Sequence, residues 1–288
     1  MIGWTKKLAG TRGRKPARPR RRELRFDALE SRLLLAGDVT VTVDGEDLLI
    51  TGDAAANAVV VRGTETPGQY VVSRSDRTTT INGGTAPFTA SNISNLVIDL
   101  GQGNDVLNLL DANISGRVSI DMGANGGRDV FNAAYAEIGE TLDISTGGGD
   151  DQVLLNVVTV KGAANIDTGA GKDGVYLSFC DFHQALAVNT DAGKDVVTIS
   201  AVEVMGATSI DTGSDSAKDA VVVSASRFRS AVSINLGAGN DELVLTTSRF
   251  DATLTADGGE GTDRLVNRFN RFLGGTPAWS RFERFPWI

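Results

Sequence analysis

Residues 235–246 read NLGAGNDELVLT and residues 99–110 read DLGQGNDVLNLL. Both place a G-x-G-x-D turn before an alternation of apolar and polar residues. The turn recurs with small variations, and its aspartates are Asp105, Asp129, Asp151, Asp173, Asp195, Asp219, Asp241 and Asp263. The intervals are 24, 22, 22, 22, 24, 22 and 22 residues. The two longer intervals come from longer turns, MGANGGRD before Asp129 and TGSDSAKD before Asp219. A fixed period of this length marks a stacked repeat, in which no unit can bury its apolar face alone.

The register holds away from the turn. Two residues after each aspartate stand Leu107, Phe131, Val153, Val175, Val197, Val221, Leu243 and Leu265. Four after stand Leu109, Ala133, Leu155, Leu177, Ile199, Val223, Leu245 and Asn267, and nine after, Ile114, Ile138, Val160, Phe182, Val204, Phe228, Phe250 and Phe272. A further column reads Ile98, Ile120, Ile144, Ile166, Val188, Ile210 and Ile234. Alternation with period two is the signature of strands, and no helix-period stretch interrupts it. The sequence therefore predicts an all-β chain: a right-handed parallel β-helix of eight G-x-G-x-D coils, about 22 residues each. Roughly five inward side chains per coil, at about 1.5–3 kcal/mol each, suffice to drive the stacking.

Exposed strand edges at both ends of such a rod need covering. Residues 38–98 are expected to form an N-terminal β cap and the first coils, with a hairpin over VTVTVDGEDLLIT (39–51) turning at Asp44-Gly45. NAVVVRG and QYVVSRS read as further strands. Residues 99–267 carry the repeats. Residues 268–288 form the expected aromatic C-terminal cap, with Phe269, Phe272, Trp279, Phe282, Phe285 and Trp287 plugging the core.

The net charge of −8 conceals two parts. Residues 1–37 carry 11 Lys and Arg against 3 Asp and Glu, leaving 17 against 33 in the remainder. The basic head is expected to lack a fixed fold and to serve targeting, while the acidic body disfavours nucleic acid as a partner. No run of 18 apolar residues offers a membrane span. One cysteine, Cys180, excludes an intrachain disulfide. It lies three residues from the only histidine, His183, with the two on opposite faces of a strand, so no catalytic dyad is expected. Arg227, Arg249 and Arg271 share one repeat position and are expected to form an exposed ladder, either an anion-binding face or a balance to the acidic columns.

Two resemblances add to this. FDALESRLLLAGDV (26–39) resembles the LEPR-XLL motif near the start of many bacterial secreted and surface repeat proteins. Leu29, Glu30, Arg32, Leu34 and Leu35 match, and Ser31 stands at the family's proline. The resemblance implies export or surface sorting, with cell-envelope or matrix components as partners. The turns are similar to the calcium-binding G-G-x-G-x-D repeats of RTX proteins, although only one occurs per 22 residues here. That resemblance implies Ca²⁺ held by turn carboxylates. The candidate ligands are Asp99, Asp105, Asp150, Asp151 and Asp241, in coils whose turn aspartate follows Asn104, Asp150 or Asn240. Asp129, Asp173, Asp195, Asp219 and Asp263 form a second set.

In most of that second set, Arg128, Lys172, Lys194 and Lys218 precede the aspartate and are expected to neutralise it. A further acidic column runs through Asp99, Asp167, Asp211 and Asp257, with Asp121 close to register and Asn189 and Asn235 interrupting. Stacked aspartates repel, so an ion, a neighbouring cation or capped backbone N–H groups must offset them. No catalytic residues are assigned. The sequence reads as a non-enzymatic, exported or surface-associated structural repeat protein stabilised or not by calcium. The alternative is a carbohydrate-binding or polysaccharide-cleaving β-helix.

Overall fold

The computed structural model describes residues 37–124 and 126–283, and all regular structure among them is β. Residues 1–36, which hold most of the expected sorting segment, and Phe285 and Trp287 lie outside the described residues. The chain winds as a parallel β-helix of about eight 22-residue coils. Most coils give a four-residue strand to one sheet, and a long and a short strand to the other; in two coils the latter merge into the nine-residue strands Val130–Ile138 and Gln152–Val160. Val196–Ser200, Glu203–Val204 and Thr208–Asp211 form one such coil. The first sheet has 12 strands, running in parallel from Asp47–Thr51 to Ala278–Ser280.

The columns read from the sequence are the observed register. Leu107, Phe131, Val153 and Val175 pair in succession, as do Leu109, Ala133, Leu155 and Leu177. Both columns face inward and are almost wholly buried until Asn267 ends the second. In the third column Phe228, Phe250 and Phe272 stack at 5.2 Å between successive rings, and Trp279 meets Phe272 edge-on at 6.1 Å. Parallel in-register stacking brings like side chains into contact, so one residue choice per column fills the core along its length.

At the N-terminal end, Asp38–Asp44 and Asp47–Thr51 form the expected hairpin. Its turn centres on Gly45-Glu46, one residue later than expected, because Asp44 still pairs with Asp47. Ala58–Gly63 pairs in parallel with Val106–Leu110 and so begins the second sheet, while Tyr70–Arg74 runs antiparallel to it. At the C-terminal end, Phe272 and Trp279 pack against the core and Phe282 is buried. Phe269 does not plug the end as expected. It is 86% exposed, because it occupies a corner whose side chain points outward.

That corner separates the long and short strands. It holds one left-handed residue per coil: Asp111, Tyr135, Val157, Phe179, Ala201, Ala225, Thr247 and Phe269, with φ between 50° and 58°.

Glycine is demanded by close approach at the position two before the turn aspartate. A Cβ on Gly149 would overlap the carbonyl oxygen of Gly127, and one on Gly171 that of Gly149. Gly149 also has φ 138°, which L side chains rarely adopt. Gly148, in the same turn, meets nothing nearer than 3.6 Å. Gly149→Ala should therefore destabilise the protein by about 2–4 kcal/mol in urea unfolding. Gly148→Ala should leave the midpoint nearly unchanged. Equal effects at the two positions would show that inter-coil crowding does not set the glycine column.

Candidate functional site: the turn aspartate column

Residues two and four after each turn aspartate face the core, so period two turns the aspartate inward as well. All eight turn aspartates are buried. Their carboxylates form a ladder along the solenoid. Oδ1 of Asp129 accepts the backbone N–H of Asp105 at 2.6 Å, and Oδ1 of Asp151 that of Asp129 at 2.8 Å. The same 2.8 Å bond joins Asp151 to Asp173, Asp173 to Asp195, Asp195 to Asp219, Asp219 to Asp241 and Asp241 to Asp263. Asn57 begins the ladder, giving its N–H to Asp105 Oδ1 at 2.6 Å, and Glu283 ends it by accepting the N–H of Asp263 at 2.6 Å.

Each rung is a two-point clamp. Asp105 donates its N–H to Asp129, and its carbonyl accepts the N–H of Val130. An N–H bonded to a carboxylate makes a stronger bond than one bonded to a neutral oxygen. Without the carboxylate, that buried donor would lack a partner.

The second oxygen is less well served. Oδ2 of Asp105, Asp151, Asp173, Asp195, Asp241 and Asp263 is buried with no hydrogen-bond partner. Burial therefore pushes these carboxyls up, against the lowering effect of the backbone N–H bond. Asp105, Asp173 and Asp219 rise to about 7, and Asp129, Asp195 and Asp241 to about 6. Asp151 and Asp263 are raised for the same reason.

The residues outside the ladder also join coils. Asn104 and Asp150 accept the backbone N–H of Arg128 and Lys172, and Asn240 that of Thr262. Asp99, exposed, accepts the N–H of Gly101 within its own turn, as do Asp121, Asp167, Asp211 and Asp257 in theirs.

The expected neutralisation by cations is corrected. Arg128, Lys172, Lys194 and Lys218 are exposed, and none forms an ion pair with a turn aspartate among the described residues. The carboxylates face the core while the preceding residues face solvent, so alternation separates them.

The candidate calcium ligands are thus divided between two environments. Asp105, Asp129, Asp151, Asp173, Asp195, Asp219, Asp241 and Asp263 are interior, while Asp99 and Asp150 are exposed. No three His, Cys, Asp or Glu side chains converge to hold a metal ion among the described residues. In each turn carboxylate Oδ1 accepts a backbone N–H, and the side chains stack singly along the rod without the converging oxygens of an RTX-type site.

Cys180 is buried in the core, where burial pushes its thiol up to about 11, and His183 is partly exposed. Arg227, Arg249 and Arg271 pair in register as expected. Asp251 binds Arg227 at 2.8 Å and also pairs with Arg249, and these bonds hold its carboxyl below the usual range. Glu203 pairs with Arg229 and Arg227.

No family matches the chain, and neither a curated protein nor a solved structure matches it.

The inward carboxylates make an unusual prediction. Their folded pKa lies above the unfolded value of about 3.9. Between the two values the folded state binds more protons, so stability falls as pH rises. Urea midpoints should be highest near pH 4, fall as pH rises from about 4 to about 7, and level off above that. Asp173→Asn keeps the acceptor for Asp151 and should flatten part of this fall. Asp173→Ala removes the acceptor and should cost about 1–3 kcal/mol at every pH. Equal stability of the two variants would contradict the ladder.

Proposed function

We propose that the protein is a non-enzymatic structural β-helical repeat protein, exported or surface-associated, whose turns serve the stacking of coils. One observation carries the reading. The side chains best suited to act as ligands or acids, the turn aspartates with Asn104, Asp150 and Asn240, accept backbone N–H groups of adjacent coils. The export half rests on the resemblance of residues 26–39 to the LEPR-XLL motif.

The calcium implied by the RTX resemblance is the part most open to test. A ligand that binds only the folded state raises its melting temperature by mass action. The full chain should melt at the same temperature in excess EDTA and in millimolar Ca²⁺ matched for ionic strength. A calcium-specific rise of several degrees would overturn the reading that the turns serve the fold alone. Fractionation of the producing cells tests the other half. The protein is expected in the envelope or medium, and confinement to the cytosol would contradict it.

A further inference from the structure

One inward column carries hydroxyls in the middle of the rod. Along successive coils it reads Leu100, Met122, Thr146, Thr168, Thr190, Thr212 and Leu236, all buried. Four consecutive coils thus put threonine where the coils on either side put leucine or methionine. A buried hydroxyl costs free energy unless it finds a partner.

The neighbour it meets is the turn carboxyl of its own coil. The column runs on to Gly258, where a Cβ would stand 2.9 Å from Oδ2 of Asp263. A side chain at this position therefore reaches the second carboxyl oxygen, the one that accepts no backbone N–H. The four threonine hydroxyls lie beside the carboxyls of Asp151, Asp173, Asp195 and Asp219.

These hydroxyls are not equivalent. Oγ1 of Thr146 donates to the carbonyl of Thr168 at 3.2 Å, and Oγ1 of Thr212 to that of Leu236 at 3.0 Å. A hydroxyl has one hydrogen, and a carbonyl can only accept it. Thr146 and Thr212 have therefore spent their hydrogens and turn only lone pairs to the carboxyl. Oγ1 of Thr168 and of Thr190 has no partner and keeps its hydrogen. An ionised carboxyl is acceptor-only too. At Asp151 and Asp219 lone pairs would face lone pairs unless the carboxyl itself carries a hydrogen.

The surrounding charges do not favour ionisation. Asp151 stacks between Asp129 and Asp173 with Asp150 beside it, and Asp219 between Asp195 and Asp241. Among the described residues no cation pairs with any of these. Exposed Lys218 and Asp215 act on Asp241 with opposite sign.

We propose that Asp151 and Asp219 are neutral carboxylic acids in the folded protein, each donating its Oδ2 hydrogen to the threonine oxygen beside it. Each then closes a chain across three coils. Oδ1 accepts the N–H of the preceding coil, the acid hydrogen goes to threonine, and the threonine hydrogen goes to a carbonyl of the following coil. A rise in pH that strips the acid hydrogen sets lone pairs against each other and loosens the rod at these two joints. Asp173 and Asp195 have a threonine that accepts from the acid and donates to the carboxylate, so they hold in either state.

Carbon-13 titration of the assigned aspartate carboxyls in the full chain tests this through the direction of a shift. Thr146→Val and Thr212→Val remove an acceptor and should lower the midpoints of Asp151 and Asp219 by about half a pH unit or more. Thr168→Val removes a donor and should raise the Asp173 midpoint by a similar amount. Thr146→Ser keeps the oxygen and should hold the Asp151 midpoint. A midpoint that rises or stays fixed in Thr146→Val or Thr212→Val would overturn the proposal. The native protein supplies a reading that needs no variant. At about pH 6 its Asp219 carboxyl carbon should resonate as the acid, and a carboxylate shift there would also overturn the proposal.

Discussion

One hydrogen bond, repeated along the rod, sets the turn side of this solenoid. The N–H of each turn aspartate points toward the next coil, where the sheet supplies no carbonyl for it. The next aspartate's carboxylate fills that place, at 2.6–2.8 Å in every coil. The requirement explains why the aspartate recurs more strictly than the apolar residues around it. Leucine, valine and phenylalanine interchange within a core column, since each fills volume. Only a short side chain with an oxygen at this reach can accept the bond. Asn57 opens the ladder only as a donor, giving its N–H to Asp105 Oδ1, and Glu283 closes it as an acceptor.

The glycines follow from the same stacking. Coils joined this closely at the turn leave no room for a Cβ between one carbonyl and the next backbone. Ala217 stands in that column only where the TGSDSAKD turn is longer. Glycine and aspartate are therefore two halves of one constraint, close backbone approach and an acceptor for the N–H that approach leaves unpaired. The raised carboxyl pKa values are its consequence, because burial leaves Oδ2 dry.

Much of this was legible in the sequence. The period, the strands and the pairing register followed from counting, since parallel stacking preserves sequence offset in space. The burial of the turn aspartates was legible too, because Asp105 shares its parity with Leu107 and Leu109. The resemblance to ion-binding turns led instead toward solvent-facing ligands. The outward corner at Phe269 was hidden, since a single left-handed residue breaks the alternation and no residue type marks it. The partners of the arginine column, Asp251 and Glu203, lie one coil from Arg227 and could be found only by folding the repeat into register.

The central claim is that the turn carboxyls are buried acceptors. Carbon-13 NMR titration of the aspartate side chains in the full chain measures this directly. The account predicts a distinct group of carboxyls with midpoints near pH 6–7, set apart from the surface aspartates. Turn aspartates that all titrate near pH 4, like solvent-exposed carboxylates, would contradict it.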